Sequence, residues 1–265
     1  MGRYTDRGYL RGQQYKDDSK LNARIQLHER YSTNPQPLMR WLLDRIALPP
    51  QARVLDIGCG PGNLWCENCE ALPEGTAIVL GDFSMGMLRT AQQRCPDSSR
   101  FSLGQSDVMA LPFKDDSFDI VIANFMLYHV PDRELAFSET RRVLVPGGKF
   151  FAATNGANHM RRVREIIRRF DADAATINVS GVFGLENGAA QLEHEFEDVR
   201  LILREDDLNV TEIEPLLAYM LSTGRSHRLE ANPDALRAYL EDILAEDGVI
   251  HIEKEVGLFA ARKPA

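Results

Sequence analysis

The chain predicts a doubly wound α/β fold, a mostly parallel sheet with helices on both faces. Three observations lead there. Short apolar runs alternate with helical spacings from residue 53 to 154, the cadence of successive β-α-β units. The first run, Val54-Leu55-Asp56-Ile57, enters a turn with glycine at every second position, Gly58, Gly60 and Gly62. Such a turn lets backbone approach a ligand with no side chain between. Polar residues then stand at the ends of the first four strands, Asp56, Asp82, Asp107 and Asn124, where open α/β sheets bind ligands.

The elements follow in order. Residues 1–20 are polar and bear tyrosines, an arm expected to order only when something docks there. Leu21 to Tyr31 reads as a helix with Leu21, Ile25 and His28 on one face. Asn34-Pro35 reads as the next helix start, an N-cap followed by proline. Leu38, Trp41, Leu42 and Ile46 continue it to Pro49-Pro50. The first strand covers 53–57, and a helix follows to about Glu70. Ala77 to Leu80 is a second strand closed by Gly81-Asp82, and Met85 to Arg94 is helical. Phe101 to Leu103 is a third strand ending near Ser106-Asp107, and Phe118 to Asn124 a fourth. Asp132 caps a helix running to about Leu144, stopped by Pro146-Gly147-Gly148. Lys149 to Thr154 is the fifth strand. Beyond it, Asn158 to Phe170 and Ala189 to Phe196 read as helices, and Val199 to Arg204 as a strand. Thr211 to Ser222 and Pro233 to Glu246 are helical. Val249 to Glu255 and Gly257 to Ala261 make a last strand region. No internal repeat or low-complexity tract is present.

Bulk properties narrow the function. A chain of 265 residues with 44% hydrophobic and 26% charged residues suits one large globular domain with embellishments. A net charge of −8 argues against a broad nucleic-acid surface, which needs a basic footprint. No stretch approaches the roughly 18 apolar residues of a membrane span, and Met1 to Lys20 has no apolar signal core. A cytoplasmic location is expected. The four cysteines imply no disulfide framework. Cys66-Glu67-Asn68-Cys69 has C-x-x-C spacing, but Cys59 and Cys95 offer no obvious second ligand pair. No metal is expected.

The glycine turn decides which nucleotide is bound. Dinucleotide sites use G-x-G-x-x-G and seat a pyrophosphate. Here the spacing is G-x-G-x-G, with Asn63 where the longer motif would run on, and Asp56 lies two residues before the first glycine. A carboxylate there opposes a pyrophosphate and suits an ammonium. S-adenosylmethionine carries an ammonium, a sulfonium and an adenosine, and no phosphate. The segment Val54-Leu55-Asp56-Ile57-Gly58-Cys59-Gly60-Pro61-Gly62 resembles the first motif of class I S-adenosylmethionine-dependent methyltransferases. Leu111-Pro112-Phe113-Lys114-Asp115-Asp116-Ser117-Phe118-Asp119 resembles that family's lead into its fourth strand, and Pro146-Gly147-Gly148-Lys149 the turn before its fifth. The resemblance is strongest over 52–155, and is greatest to the small-molecule group that includes quinone-biosynthesis methyltransferases.

The resemblance implies a seven-stranded sheet with an antiparallel edge strand. It implies residues 1–33 as an arm and lid helix, and 34–265 as the methyltransferase domain with a helical insertion around 156–197. It places the cofactor S-adenosyl-L-methionine, and its product S-adenosyl-L-homocysteine, against Asp56, Gly58, Cys59, Gly60, Gly62, Asn63 and Leu64 after the first strand. Asp82 would accept the ribose hydroxyls, with Phe83 on the adenine face and Ser84 beside it. Ser106, Asp107 and Val108 would surround the adenine amino group, and Asn124 would close the fourth strand. Arg24 would pair the methionine carboxylate. Each acid also suits a turn or cap on its own.

Methyl transfer from a sulfonium needs mainly alignment and exclusion of water. A base is required only where the nucleophile holds a proton that must leave early. His129 is the candidate base and Tyr128 its neighbour, with packing beside the cofactor as the other reading of both. Tyr15, His28, Tyr31, Asn155 and His159 are candidates for the acceptor side. Phe183 to Gln191 is a candidate lid, and the arginines from Arg161 to Arg169 a face for an anion or RNA. The expected function is methyl transfer to N or O of a small molecule. An RNA or protein methyltransferase of the same fold is the alternative, as is a catalytically silent cofactor-binding protein. A nicotinamide oxidoreductase is opposed by the glycine spacing. A homodimer is left open.

Overall fold

The computed structural model describes residues 19–95, 99–174, 180–223 and 227–265. Its strands are β1 (Arg53–Ile57), β2 (Ala77–Asp82), β3 (Phe101–Gln105), β4 (Phe118–Ile122), β5 (Leu144–Asn155), β6 (Glu197–Arg204), β7 (Asp207–Val210), β8 (Ile250–Glu253) and β9 (Val256–Arg262). Seven of them form one sheet in the order β3-β2-β1-β4-β5-β9-β6. The first five run parallel, and β9 runs antiparallel to both its neighbours, β5 and β6. The chain steps outward from β1 to β3, then returns to place β4 on the other side of β1. That reversal opens a crevice at the carboxyl ends of β1 and β4.

The helices are α1 (Ser19–Tyr31), α2 (Leu38–Ile46), α3 (Asn63–Cys66), α4 (Met85–Arg94), α5 (Arg133–Val143), α6 (Arg161–Phe170), α7 (Gly188–Leu192), α8 (Ile213–Ser222), α9 (His227–Ala231) and α10 (Asp234–Asp247). Alternate strand residues feed opposite faces, the period-two rule of a sheet covered on both sides. Leu55, Val121, Phe150 and Phe259 pack with Phe137 of α5 on one face. Val54, Ile120, Phe151 and Leu258 pack with Trp41, Leu42 and Ile46 of α2 and with Trp65 on the other. A third core stands apart from both. Leu27 and Tyr31 of α1 join Val163 and Ile167 of α6, Leu216 and Met220 of α8, Leu240 of α10, and Leu208 and Ile252 of the β7–β8 pair. This cap covers the carboxyl-end crevice.

Several expectations are corrected. The helix expected from Asn34-Pro35 begins at Leu38, because Asn34 is used elsewhere. Its Oδ1 accepts from Gln36 N at 2.9 Å, and its own N–H donates to Asp206 Oδ1 at 3.1 Å. The helix expected to reach Glu70 stops at Cys66, and a separate 3₁₀ turn covers Cys69–Ala71. Asn68 Nδ2 donates to Leu64 O at 2.8 Å, a side-chain bond that competes with the helical ladder. Phe183 to Gln191 is no lid. Phe183 is fully buried against Phe137 and Phe259, its carbonyl accepts from Thr154 Oγ1 at 2.8 Å, and a Cβ on Gly188 would strike the Phe259 ring. The last strand region divides between two sheets: β8 joins β7 in a separate sheet and β9 enters the main one.

Candidate active site

One cavity of about 1470 Å³ lies between the strand ends and the cap. Ligand pockets commonly hold about 300–1,000 Å³, so this one has room for a cofactor and a second molecule. Its floor is the glycine turn. Gly58, Gly60 and Gly62 have φ of +74°, +56° and +77°, a region that L-residues with a Cβ enter only with strain. The three differ in what surrounds them. A Cβ on Gly58 would lie 2.7 Å from Met126 Cγ. One on Gly62 would press Cys95 Sγ at 3.1 Å and Ala91 Cβ at 3.3 Å, whereas one on Gly60 would meet nothing within 4 Å. Gly60 therefore borders open cavity, and Gly62 is the packing point between the turn and α4.

Two carboxylates flank the turn. Asp56 is 3% exposed, and Trp65 Nε1 donates to its Oδ2 at 2.7 Å. Burial pushes its pKa up to about 7, the Trp65 N–H working against that and the nearby Asp82 adding to it. Asp82 closes β2. Its Oδ2 accepts from Gly60 N at 2.9 Å and its Oδ1 from Ser84 N at 2.7 Å, so it holds the turn closed. A carboxylate has about four acceptor positions, and two remain for the cavity. Burial raises the Asp82 pKa, and the two backbone N–H groups oppose that rise.

The remaining positions gather around this pair. Cys59, Asn63, Leu64, Phe83, Ser84, Ser106, Asp107, Val108 and Asn124 all line the cavity. Arg94 donates to Asn63 Oδ1. Ser84 caps α4, accepting from Met87 N at 3.4 Å. Asp107 Oδ1 accepts from Met109 N at 3.0 Å, and Ser106 Oγ donates to Gly104 O at 3.1 Å. Asn124 Oδ1 is buried with no hydrogen-bond partner among the described residues, an acceptor held ready for a donor. The next residue, Phe125, has φ +56°, a strained conformation for a bulky side chain.

The acceptor-side candidates divide. Tyr128 and His129 occupy the 3₁₀ turn Leu127–His129, with ring centroids 4.6 Å apart, and both line the cavity. His28 of α1 reaches it from the cap, stacked on His159 at 6.1 Å and edge-on to Tyr219 at 5.7 Å. Burial first, and then the Lys254 charge, pushes the His28 pKa down to about 3, so the ring is neutral. His159 Nδ1 accepts from Glu255 N at 3.3 Å, which leaves Nε2 as the protonated nitrogen of the neutral ring. Asn155 ends β5 at the cavity wall. Arg24 also lines it, but its guanidinium donates to Ser222 O at 2.9 Å and Ser222 Oγ at 3.3 Å. Tyr31 and Gly62 are not in the wall. Tyr31 packs in the cap core, and Tyr15 lies outside the described residues.

Sequence reasoning passed over Arg204, Asp206, Lys254 and Tyr219, which also line the cavity. Arg204 closes a strand that the spacing does locate, so the strand-end rule was the available signal. Lys254 and Asp206 carry none, being brought there by the β7–β8 pair. The cysteines behave as packing. Cys66 lies 2.9 Å from Cys95 across Gly62, not against Cys69.

A family profile described as a methyltransferase domain matches residues 55–152. The demethylmenaquinone methyltransferase of Renibacterium salmoninarum is 40% identical over 114 residues, 43% of this chain and 46% of that protein. The trans-aconitate 2-methyltransferase of Variovorax paradoxus is 39% identical over 123 residues, 46% of each. The chain thus spans about half the length of these curated relatives. Among solved structures, the Haemonchus contortus phosphoethanolamine N-methyltransferase 2, in complex with phosphomonomethylethanolamine and S-adenosylhomocysteine, has a TM-score of 0.61. It is 21% identical, covering 100% of this chain and 61% of that one.

Proposed function

The chain carries a methyltransferase domain over residues 55–152, and on that premise we propose that it transfers a methyl group from S-adenosylmethionine to N or O of a small molecule. The observation that carries the reading is the pair of carboxylates held at the glycine turn, Asp56 and Asp82, beside a backbone that leaves Gly60 open to the cavity. The residues fit the cofactor. Asp82 retains acceptor positions for two ribose hydroxyls. Asp56 is a buried carboxylate that an ammonium would return to its charged form. Asn124 Oδ1, without a hydrogen-bond partner among the described residues, would accept from a donor of the cofactor. Phe83, Ser106, Asp107 and Val108 would surround the adenine. When bound, the cofactor supplies a methyl carbon on a good leaving group. The chain's own work is to align and to exclude water, which the cap over the crevice serves.

Relatives named for demethylmenaquinone and for trans-aconitate each match less than half of this chain, at 40% and 39% identity. On this reading the glycine-turn half serves the cofactor and acceptor choice falls to the cap, to which residues 1–33 contribute Arg24 and His28. His129 is the base where the acceptor atom bears a proton, and Tyr128 walls the pocket beside it.

Titration calorimetry with S-adenosylhomocysteine tests the site. Asp82→Ala should weaken binding about ten- to a hundredfold through loss of charge-assisted hydrogen bonds. Unchanged affinity would remove Asp82 from the cofactor site. With an acceptor in hand, His129→Ala should lower turnover about 10²–10⁴-fold at unchanged cofactor affinity. A loss of less than tenfold would make His129 a wall residue.

A further inference from the structure

The cavity wall at the far end of the sheet, on β6 and the segments leading into β7 and β9, holds more positive than negative charge out of water. Arg204 closes β6, Asp206 precedes β7, and Lys254 lies between β8 and β9. All three line the cavity, with side chains 1%, 1% and 4% exposed. Asp206 Oδ1 accepts from Ser32 Oγ at 2.5 Å and from Asn34 N at 3.1 Å, while Lys254 Nζ donates to Oδ2. Burial opposes ionisation of Asp206, but these donors outweigh it and hold its pKa below the usual range. One carboxylate thus faces two cations.

Arg204 is left short of partners. Its Nη2 donates to Gln36 O at 2.6 Å, and the guanidinium lies 5.8 Å from the Trp41 ring centroid. Nε stands 3.4 Å from Asp206 Oδ2. Yet Nε and Nη1 are buried with no hydrogen-bond partner among the described residues. The next acid, Asp207, binds the Lys254 backbone N–H at 3.1 Å, and its side chain is 40% exposed, so water screens it. Buried donors without acceptors, and buried charge without balance, are both strongly unfavourable. Asp56, Asp82 and Asp107 stand at the ends of β1, β2 and β3, on the other side of β4 and β5, and the other acids of the lining, Glu29, Glu67 and Glu165, are exposed to water, which screens them. The cavity is therefore polar in the electrical sense, acidic at the glycine turn and cationic at the β6 end.

An oxyanion with two free oxygens would meet both needs at once. It presents two acceptors to the guanidinium fork and supplies the missing negative charge. We propose that Arg204 and Lys254 form an oxyanion subsite, and that the methyl acceptor carries a carboxylate or phosphate group seated on them. This rests on the methyltransferase reading and names the class of its acceptor. His28, neutral and with Nδ1 also lacking a hydrogen-bond partner among the described residues, adds polar contact without changing the charge balance.

The test is calorimetry on the full chain saturated with S-adenosylhomocysteine, with inorganic phosphate and acetate as probes in separate titrations. Saturable binding of one probe at one site per chain is expected, and the tighter probe sorts phosphate-bearing from carboxylate-bearing acceptors. Arg204→Gln and Lys254→Gln should each weaken it about ten- to a hundredfold. Asp206→Asn should strengthen it by removing the internal competitor. Retained S-adenosylhomocysteine binding by each variant shows that it is folded. Should a variant lose that binding, the wild-type titration still decides. A wild-type chain that binds S-adenosylhomocysteine but neither anion overturns the subsite and leaves the methyltransferase reading standing. Anion binding that is indifferent to Arg204→Gln overturns it equally. Failure of the wild type to bind S-adenosylhomocysteine is a failure of the earlier reading instead.

Discussion

Asp56 illustrates how one side chain couples the cavity to pH. Its carboxyl titrates near pH 7 when folded, because burial disfavours the charge, against about 3.9 in an unfolded chain. Between those values the folded state keeps a proton that the unfolded state has lost. Stability of the ligand-free protein therefore falls as pH rises from about 4 to about 7, and is flat in this respect above. Cofactor binding has the opposite slope if Asp56 meets the ammonium, since that pairing needs the carboxylate. Affinity for S-adenosylhomocysteine should rise about tenfold per pH unit up to about 7, then level off. Calorimetry across that range checks it, and Asp56→Asn should abolish the slope. A wild-type affinity that does not change with pH would remove the pairing. At this scale the sequence places Asp56, Asp82 and Asp107 at strand ends, and all three line the cavity, because strand ends announce themselves by an apolar run followed by a polar residue. Arg24 also lines the cavity, but the sequence does not show its partner: a helical arginine has several carbonyls within reach, and it donates to Ser222 O.

The turn after β1 shows what spacing does and does not reveal about an element. Three glycines at every second position mark a tight turn, and all three have positive φ. The pattern does not say which glycine faces the ligand. The structure separates them: Gly60 opens on the cavity, and Gly62 abuts Cys95 and Ala91 of the α4 region. Alanine at either position incurs about 1–2 kcal/mol for the left-handed conformation. Gly62→Ala should lose roughly 1 kcal/mol more by crowding its neighbours while keeping cofactor affinity. Gly60→Ala should keep the smaller loss but bind S-adenosylhomocysteine about tenfold more weakly. Urea unfolding and calorimetry read the two effects separately, and the reverse ordering would contradict the assignment. Elements defined by local periodicity, such as β1 and α4, stand within a residue of expectation. Those decided by one side chain's choice of partner do not. Asn68 breaks the helix after the turn, and Phe183 anchors a segment whose glycines suggested a lid.

Across the whole molecule, the parallel half of the sheet was legible and the cap was not. The half that carries the glycine turn comes from contiguous chain, 53–130, where each strand is near its neighbour in sequence. The cap core joins Leu27, Val163, Leu216 and Ile252, residues that no local pattern relates. The same distance hid the cationic wall, since Arg204 and Lys254 meet only once β6, β7, β8 and β9 are in place. Strand β9 carries a consequence for how the protein is made. It inserts between β5 and β6, pairing Phe150 with Ala261 and Leu201 with Phe259, yet it follows both in the chain. During synthesis, which proceeds from the N-terminus, β5 and β6 emerge first and wait with unpaired edges. The β5 edge that waits includes Phe150-Phe151-Ala152-Ala153, an apolar ladder of the kind that recruits strands from other chains. The nascent protein should thus be most prone to aggregate just before β9 is added, and this one strand covers the β5 edge and joins β6 to the sheet.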